Sequence, residues 1–232
     1  AKALLNIKNK TLIPVDAIDN AYYIMAKASA TQKKHGQAAK FASKVASKSK
    51  KYGKAQFILA ITNYINNKNK QAIKILYETR KWMKESWNSD KDLSSLIAVN
   101  LGRIQFQSRN YKASHEEYLK VPKGSSLWVQ ALVEQGWAQV MMDDNSGAIG
   151  NMYSLHSPYF KNVFIPESYA VRTIGYINIC QYGDAYQTLK IMEQKHSPWL
   201  TSINSYTRKN KKPYQYYKTL KKYLTGHSEA VV

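Results

Sequence analysis

The sequence contains one cysteine, six prolines and ten glycines in 232 residues. The single cysteine, Cys180, excludes an internal disulfide. The small number of prolines and glycines, with long apolar segments, argues against many short strands and favours helices. No apolar run approaches the ~20 residues that would span a bilayer. No secretory signal is recognisable, but the chain starts at Ala1 rather than methionine, so this carries no weight against export.

The residue patterns of common catalytic and metal sites are also missing. The five histidines are scattered, and His115-Glu116-Glu117 lacks the second histidine of a zinc-protease helix. The segment 147–150 lacks the Lys-Ser/Thr of a phosphate-binding loop, and no Gly-x-Ser-x-Gly motif occurs. Cys180 lies in an apolar segment and is interpreted as a small core residue rather than a nucleophile. The sequence therefore predicts a protein that is not an enzyme, with no catalytic residue, cofactor or metal.

Positive charge is the strongest compositional feature, with a formal net charge of +20 at pH 7. It is concentrated at the two ends. Residues 1–56 carry twelve lysines and two acids, and residues 197–232 carry seven basic residues and one acid. A basic field attracts acidic proteins, nucleic acid or anionic membrane surfaces. Dispersed lysines are also typical of a solvated helix surface, and both interpretations stay open.

Small residues recur in pairs twelve positions apart, each pair within apolar-periodic segments. The first members of successive pairs are separated by 34, 42, 34 and 37 residues. A small side chain at such a position lets two helices approach to the usual ~8–10 Å, whereas a large one would push them apart. The five pairs are Ala26/Ala38, Ala60/Ala72, Gly102/Ser114, Gly136/Ala148 and Thr173/Ala185.

The residues around these pairs resemble the tetratricopeptide repeat, whose period is ~34 residues. The third unit contains Leu101-Gly102, then Tyr111 and Ser114, then Tyr118 and Pro122. The fifth contains Tyr176, Tyr182-Gly183-Asp184-Ala185, Leu189 and Ser197-Pro198. The resemblance implies an all-α, right-handed superhelix of antiparallel helix pairs, a TPR-like α-solenoid. We expect one domain over residues 1–232, with about five helix pairs in 15–198 and a basic helical cap in 199–232.

A second resemblance concerns residues 128–200. This stretch, with Ser157-Pro158-Tyr159-Phe160 and Ile165-Pro166-Glu167, is similar to a class of bacterial envelope-associated repeat proteins. It implies a bacterial protein in the periplasm or cell envelope, with the cytoplasm as the alternative. The link 157–166 carries three aromatic residues and is expected to pack on the body rather than touch a partner.

The pattern predicts eleven helices, and several glycines near their boundaries are expected to take positive φ: Gly36, Gly53, Gly124, Gly147 and Gly183. Pro166 suits the first turn of a helix. The predicted helices are about 15–33, 36–50, 53–67, 70–88, 92–108, 111–121, 126–142, 145–156, 167–180, 183–196 and 213–224.

The family resemblance implies that the first helix of each pair lines a concave groove. Carried over by position, the groove residues are Asn20, Lys27, Lys54, Ile61, Tyr64, Arg103, Phe106, Gln130, Trp137, Val140, Glu167 and Ile177. Lys27, Lys54 and Arg103 are predicted to hold a carboxylate, and Tyr64 and Trp137 to anchor an apolar side chain. The alternative is that Ile61, Phe106, Val140 and Ile177 are buried.

The sequence thus predicts a protein–protein interaction scaffold whose partner carries an acidic segment. The alternative is non-specific binding of nucleic acid or an anionic surface by the basic ends.

Overall fold

The computed structural model describes residues 13–86, 90–161 and 163–227, together with residues 1 and 6. Within these residues the chain forms eleven α-helices and no strand, which confirms the all-α prediction. The helices of the first part are α1 (Val15–Thr31), α2 (His35–Ala42), α3 (Tyr52–Ile65), α4 (Asn69–Glu85), α5 (Lys91–Gln107), α6 (Tyr111–Tyr118), α7 (Trp128–Val140) and α8 (Asn145–Leu155). A 3-10 turn (Pro158–Phe160) and α9 (Pro166–Asn178), α10 (Tyr182–Lys209) and α11 (Pro213–His227) follow.

The helices pack in consecutive pairs, α1 with α2 through to α9 with α10. All ten predicted small residues are buried, so the register read from their spacing is confirmed. One such close approach is at Gly102 on α5. A Cβ built there would lie 2.6–2.9 Å from the ring of Tyr118, which packs where that side chain would be. A larger residue at this position would force the second helix away.

The turn inside each pair has the same backbone geometry in all five repeats. One residue per turn has a left-handed φ of 59–62°, and each lies seven positions after the first small residue. The next residue donates its N–H to a carbonyl five positions back at 2.9 Å, as Lys34 does to Ser29 and Asn110 to Gln105. This is the Schellman motif, which satisfies the last carbonyls of the first helix. The five left-handed residues are Lys33, Asn67, Arg109, Asp143 and Cys180.

Two predictions about these turns are wrong. The boundary glycines do not supply positive φ, because none of the described glycines has it. Cys180 is not a core residue, because it is exposed in the turn after α9. The Schellman hydrogen bonds fix the turn whichever residue occupies it, so a glycine pattern is a poor guide to these boundaries.

Helix boundaries differ from the prediction mainly at α2 and α10. The predicted helix 36–50 ends at Ala42. Beyond it, the Ala46 N–H donates to the Asp19 carboxylate at 3.2 Å, and the Trp82 indole donates to the Ser47 carbonyl at 3.1 Å. These contacts hold the segment in turns. The predicted helix 183–196 continues to Lys209 with Pro198 inside it. The last two residues of the predicted helix 70–88 lie outside the described residues.

The chain divides into two compact units, residues 1–161 and residues 162–232. That all 232 residues form one domain stays a prediction. In the first unit, apolar clusters succeed one another along the repeats, and the largest joins α3, α4 and α5 around Leu76, Ile97 and Leu101. Phe160 of the link is buried against Trp128, with ring centroids 5.9 Å apart, whereas Tyr159 is exposed. In the second unit, α9 packs on α10, and Pro166 is the first residue of α9 as predicted.

Candidate functional site

The first helices of repeats one to three form an open cleft of about 320 Å³ in the first unit. Its apolar floor comes from five side chains on α1, α3 and α5: Tyr23, Phe57, Ile58, Leu93 and Leu96. Charged side chains surround that floor: Lys27, Lys54, Asp90 and Asp92. Because every lining residue belongs to a first helix or its N-cap, we call this the first-helix cleft. Two residues predicted for the groove, Lys27 and Lys54, line it.

Lys54 lies on α3 and already holds a carboxylate of the same chain. Its Nζ is 3.0 Å from Oδ2 of Asp90. Asp90 is the N-cap of α5, and its Oδ1 accepts the Leu93 N–H at 2.9 Å. That backbone hydrogen bond, with a further one from Lys54, holds the pKa of Asp90 below its usual range although burial opposes the shift. The hydrogen bond to Asp90 in turn raises the pKa of Lys54. Lys54 therefore ties repeat two to repeat three.

Lys27 is placed differently from Lys54. It lies on α1 with an exposed side chain, and it makes no ion pair among the described residues. Asp92 lies on the opposite helix of the cleft and is also exposed. The cleft thus combines an apolar floor with two cations and two carboxylates. Such a surface can bury one apolar side chain and orient polar groups beside it.

Arg103, also predicted for the groove, joins repeats three and four. Its Nε donates to Glu134 Oε2 at 2.9 Å, and its Nη2 donates to Oε1 at 2.6 Å. This bidentate pair connects α5 with α7, and the hydrogen bonds to Glu134 raise the pKa of Arg103. Tyr64 and Trp137, the predicted aromatic anchors, are both half-buried, and Tyr64 packs against the α3–α5 core.

The other predicted groove positions fall into different environments. Val140 is buried, as the alternative interpretation expected, whereas Ile61 and Phe106 are only half-buried. Ile177 is exposed, which that interpretation did not expect. The polar positions are exposed: Asn20, Gln130 and Glu167. The predicted positions therefore differ in exposure, and two of them, Lys27 and Lys54, line the first-helix cleft.

Sequence reasoning missed most of the cleft floor. Leu93 and Leu96 were not predicted as groove residues, although Asp90 three residues before an apolar run is a helix-start signal that fixes their position in the first turns. Tyr23, Phe57 and Ile58 carry no such signal. They meet α5 only because repeats one to three stack, which brings α1, α3 and α5 side by side.

A second depression, of about 540 Å³, lies within the second unit on α10. Phe164 stacks on Trp199 with ring centroids 5.2 Å apart, and His196 meets the Phe164 ring edge-on at 5.3 Å. Burial, with a smaller contribution from Lys195, lowers the pKa of His196. The imidazole packs against aromatic rings, and the depression is lined mainly by apolar groups.

No described helix is long and apolar enough to cross a membrane. The described residues include no group of three histidine, cysteine or acidic side chains that could hold a metal ion.

Comparison with known proteins supports the fold. The structure is similar to the crystal structure of MamA protein, with a TM-score of 0.63 and 16% identity over 78% of this chain and 92% of that one. BtubC (BKLC) from P. vanneervenii has a TM-score of 0.66 and 13% identity, covering 85% of this chain and 87% of its own. A Podosopora anserina protein named for nearly identical kinesin light chain TPR-like repeats has a TM-score of 0.64 and 12% identity, over 81% and 98%.

These similarities confirm the predicted TPR-like solenoid as the fold of this chain. No protein-family model matches the sequence, and no curated relative matches it.

Proposed function

We propose that this protein is a non-enzymatic interaction module that binds an extended or helical segment of a partner protein in the first-helix cleft. The observation that carries the proposal is the apolar floor between α1, α3 and α5, which is open to solvent and framed by charges of both signs. A repeat stack offers a binding surface along its first helices, and here that surface contains a cavity of side-chain size.

The partner's anchor would be an apolar side chain. Full burial of a leucine- or phenylalanine-sized group contributes about 1.5–3 kcal/mol, which makes it the main source of affinity at such a site. Lys27 would then meet an acidic residue beside the anchor, and Asp92 a donor on the other side. We assign Lys54 and Arg103 to the repeat stack rather than to the partner, because each already has a carboxylate.

Long-range charge would act on the encounter rather than on the bound state. The chain's net charge of +20 would steer an acidic partner segment towards it, and this attraction would weaken as salt rises. Part of the basic N-terminal region, residues 2–5 and 7–12, lies outside the described residues.

The test places a photo-cross-linking amino acid at Leu96, on the cleft floor, and separately at Ile24, an exposed residue on α1 that does not line the cleft. We expect one partner to be captured from position 96 and not from position 24. With that partner in hand, Leu96→Asp should abolish binding and Ile24→Asp should leave it unchanged. Lys27→Glu should slow association and reduce its salt dependence. Equal capture at positions 96 and 24, or full partner binding by Leu96→Asp, would show that the partner does not bind in the first-helix cleft.

A further inference from the structure

The last described helix, α11, has an apolar face and a basic face. At 3.6 residues per turn, five apolar and aromatic side chains fall on one side over roughly 120° of the helix circumference. Lys218, Lys221 and Lys222 fall on the other side. The apolar face consists of Tyr216, Tyr217, Leu220, Tyr223 and Leu224.

Most of this apolar face is open to solvent in the described part of the chain. Leu220 is 60% exposed and Leu224 is 69% exposed. The described contacts with α10 hold the first turns of α11, where the Tyr206 hydroxyl donates to Thr219 Oγ1 at 2.6 Å and its ring meets that of Tyr216 at 5.2 Å. Two leucines on the next turns therefore present an uncovered surface.

The charge around α11 is of one sign. From Lys195 to His227 the chain contains eight lysines and arginines and no aspartate or glutamate, and seven of these cations lie between Arg208 and Lys222. Lys218 extends over the Tyr214 ring, with Nζ 5.2 Å from the centroid. Residues 195–227 thus supply no carboxylate to neutralise the basic side of the helix, and this side will attract a polyanionic surface.

We propose that α11, with the basic residues that precede it, is a docking helix for an anionic lipid surface and lies in the plane of the headgroups. The two leucines would enter the acyl boundary, and the tyrosines would place their rings there with their hydroxyls at the headgroups. The lysines would meet anionic headgroups. At 1.5 Å per residue α11 is about 22 Å long, so it lies on a bilayer rather than spanning it.

Nucleic acid is a poorer match for this helix. It would engage the lysines and stack on the tyrosines, but it would leave the two leucines in water. An anionic bilayer matches both faces of α11, because its headgroups carry negative charge for the lysines and its hydrocarbon accommodates the leucines.

The experiment is co-sedimentation of the full chain with vesicles of phosphatidylcholine alone and of phosphatidylcholine mixed with phosphatidylglycerol. We expect binding to the anionic vesicles only, decreasing as salt is added. Leu220→Asp/Leu224→Asp should abolish it, and Leu220→Met/Leu224→Met should preserve it. Lys218→Gln/Lys221→Gln/Lys222→Gln should weaken binding roughly fivefold per lysine, which corresponds to about 1 kcal/mol each.

The matched control removes the same charge from exposed lysines elsewhere, in Lys40→Gln/Lys48→Gln/Lys50→Gln, and should bind like the wild type. Circular dichroism and denaturant midpoints check that the variants fold. Equal binding to both vesicle types, no binding to either, or an equal loss in the control would overturn the proposal. Full vesicle binding by Leu220→Asp/Leu224→Asp would also overturn it. So would a result in which the α11 variants keep their binding to vesicles and lose binding to duplex DNA.

Discussion

Glu117 on α6 is buried, with 2% of its side chain exposed, and faces Arg80 on α4, whose guanidinium donates to both carboxylate oxygens. Glu117 Oε1 also accepts hydrogen bonds from the Lys120 ammonium at 2.6 Å and from the Tyr77 hydroxyl at 3.2 Å. Burial alone would raise the pKa of Glu117, but the hydrogen bonds from Arg80 and Lys120 outweigh it and hold that pKa below the usual value. The buried carboxylate thus remains ionised and joins the second helices of repeats two and three.

This pair predicts a specific dependence of stability on pH. Because the pKa of folded Glu117 lies below its ordinary value of 4.5, its contribution is complete above about pH 4.5 and is lost as pH falls through the folded pKa. We expect Glu117→Gln to cost about 2–3 kcal/mol at neutral pH. Urea midpoints of wild type and variant should converge on acidification. Glu78→Gln, in an exposed pair on α4, should cost at most about 0.5 kcal/mol, and a Glu117→Gln deficit independent of pH would contradict the assignment.

The contact between Gly102 and Tyr118 predicts opposite effects for two glycine substitutions. Gly102→Ala should cost about 1–3 kcal/mol, because the new methyl would overlap a buried ring. Gly150→Ala, also inside a helix but with nothing within 4 Å of its Cβ position, should gain up to about 1 kcal/mol from helix propensity. Denaturant midpoints of the two variants test the repeat register directly. Equal stabilities would contradict it.

The left-handed turn residues are a predicted route to higher stability. Arg109 has φ 60°, which costs an ordinary side chain about 1–2 kcal/mol. After allowing for the greater freedom of glycine in the unfolded chain, Arg109→Gly should stabilise the protein by about 0.5–1 kcal/mol. Arg109→Val should destabilise it, because a branched side chain tolerates this φ poorly. Asn67→Gly should have a smaller effect, since asparagine adopts this conformation more readily. Thermal unfolding of the wild type and the three variants measures these differences. Equal stabilisation by Arg109→Gly and Asn67→Gly would contradict the prediction.

The cations predicted to contact a partner should separate into structural and binding roles. Arg103→Met should cost about 1–2 kcal/mol of stability, because it leaves the Glu134 carboxylate without its bidentate partner. Lys27→Met should leave stability within about 0.5 kcal/mol of wild type and weaken only partner binding. Unfolding free energies, followed by binding measured under conditions where both variants are folded, distinguish the two. A stability loss at Lys27 equal to that at Arg103 would contradict this division.

The predicted site residues show how far position within a repeat can guide an assignment. Lys27 and Lys54 do lie in one cleft, because both fall on first helices and the repeat register is correct. Their different roles were not predictable, since Asp90 reaches Lys54 only through the stacking of α3 against α5. The same applies to Arg103 and Glu134, which are 31 residues apart in sequence and adjacent only in the stack.

The sequence by itself determined the helix pairs and their register, because packing two helices closely requires small residues at fixed intervals and leaves a periodic trace in the chain. Tertiary structure decided which charges are used internally and which face solvent. It also placed the apolar floor of the cleft, left the leucines of α11 exposed and made Cys180 a turn residue. Those outcomes depend on contacts between different repeats and on turn hydrogen bonds, and neither requires a particular residue type that would mark it in the sequence.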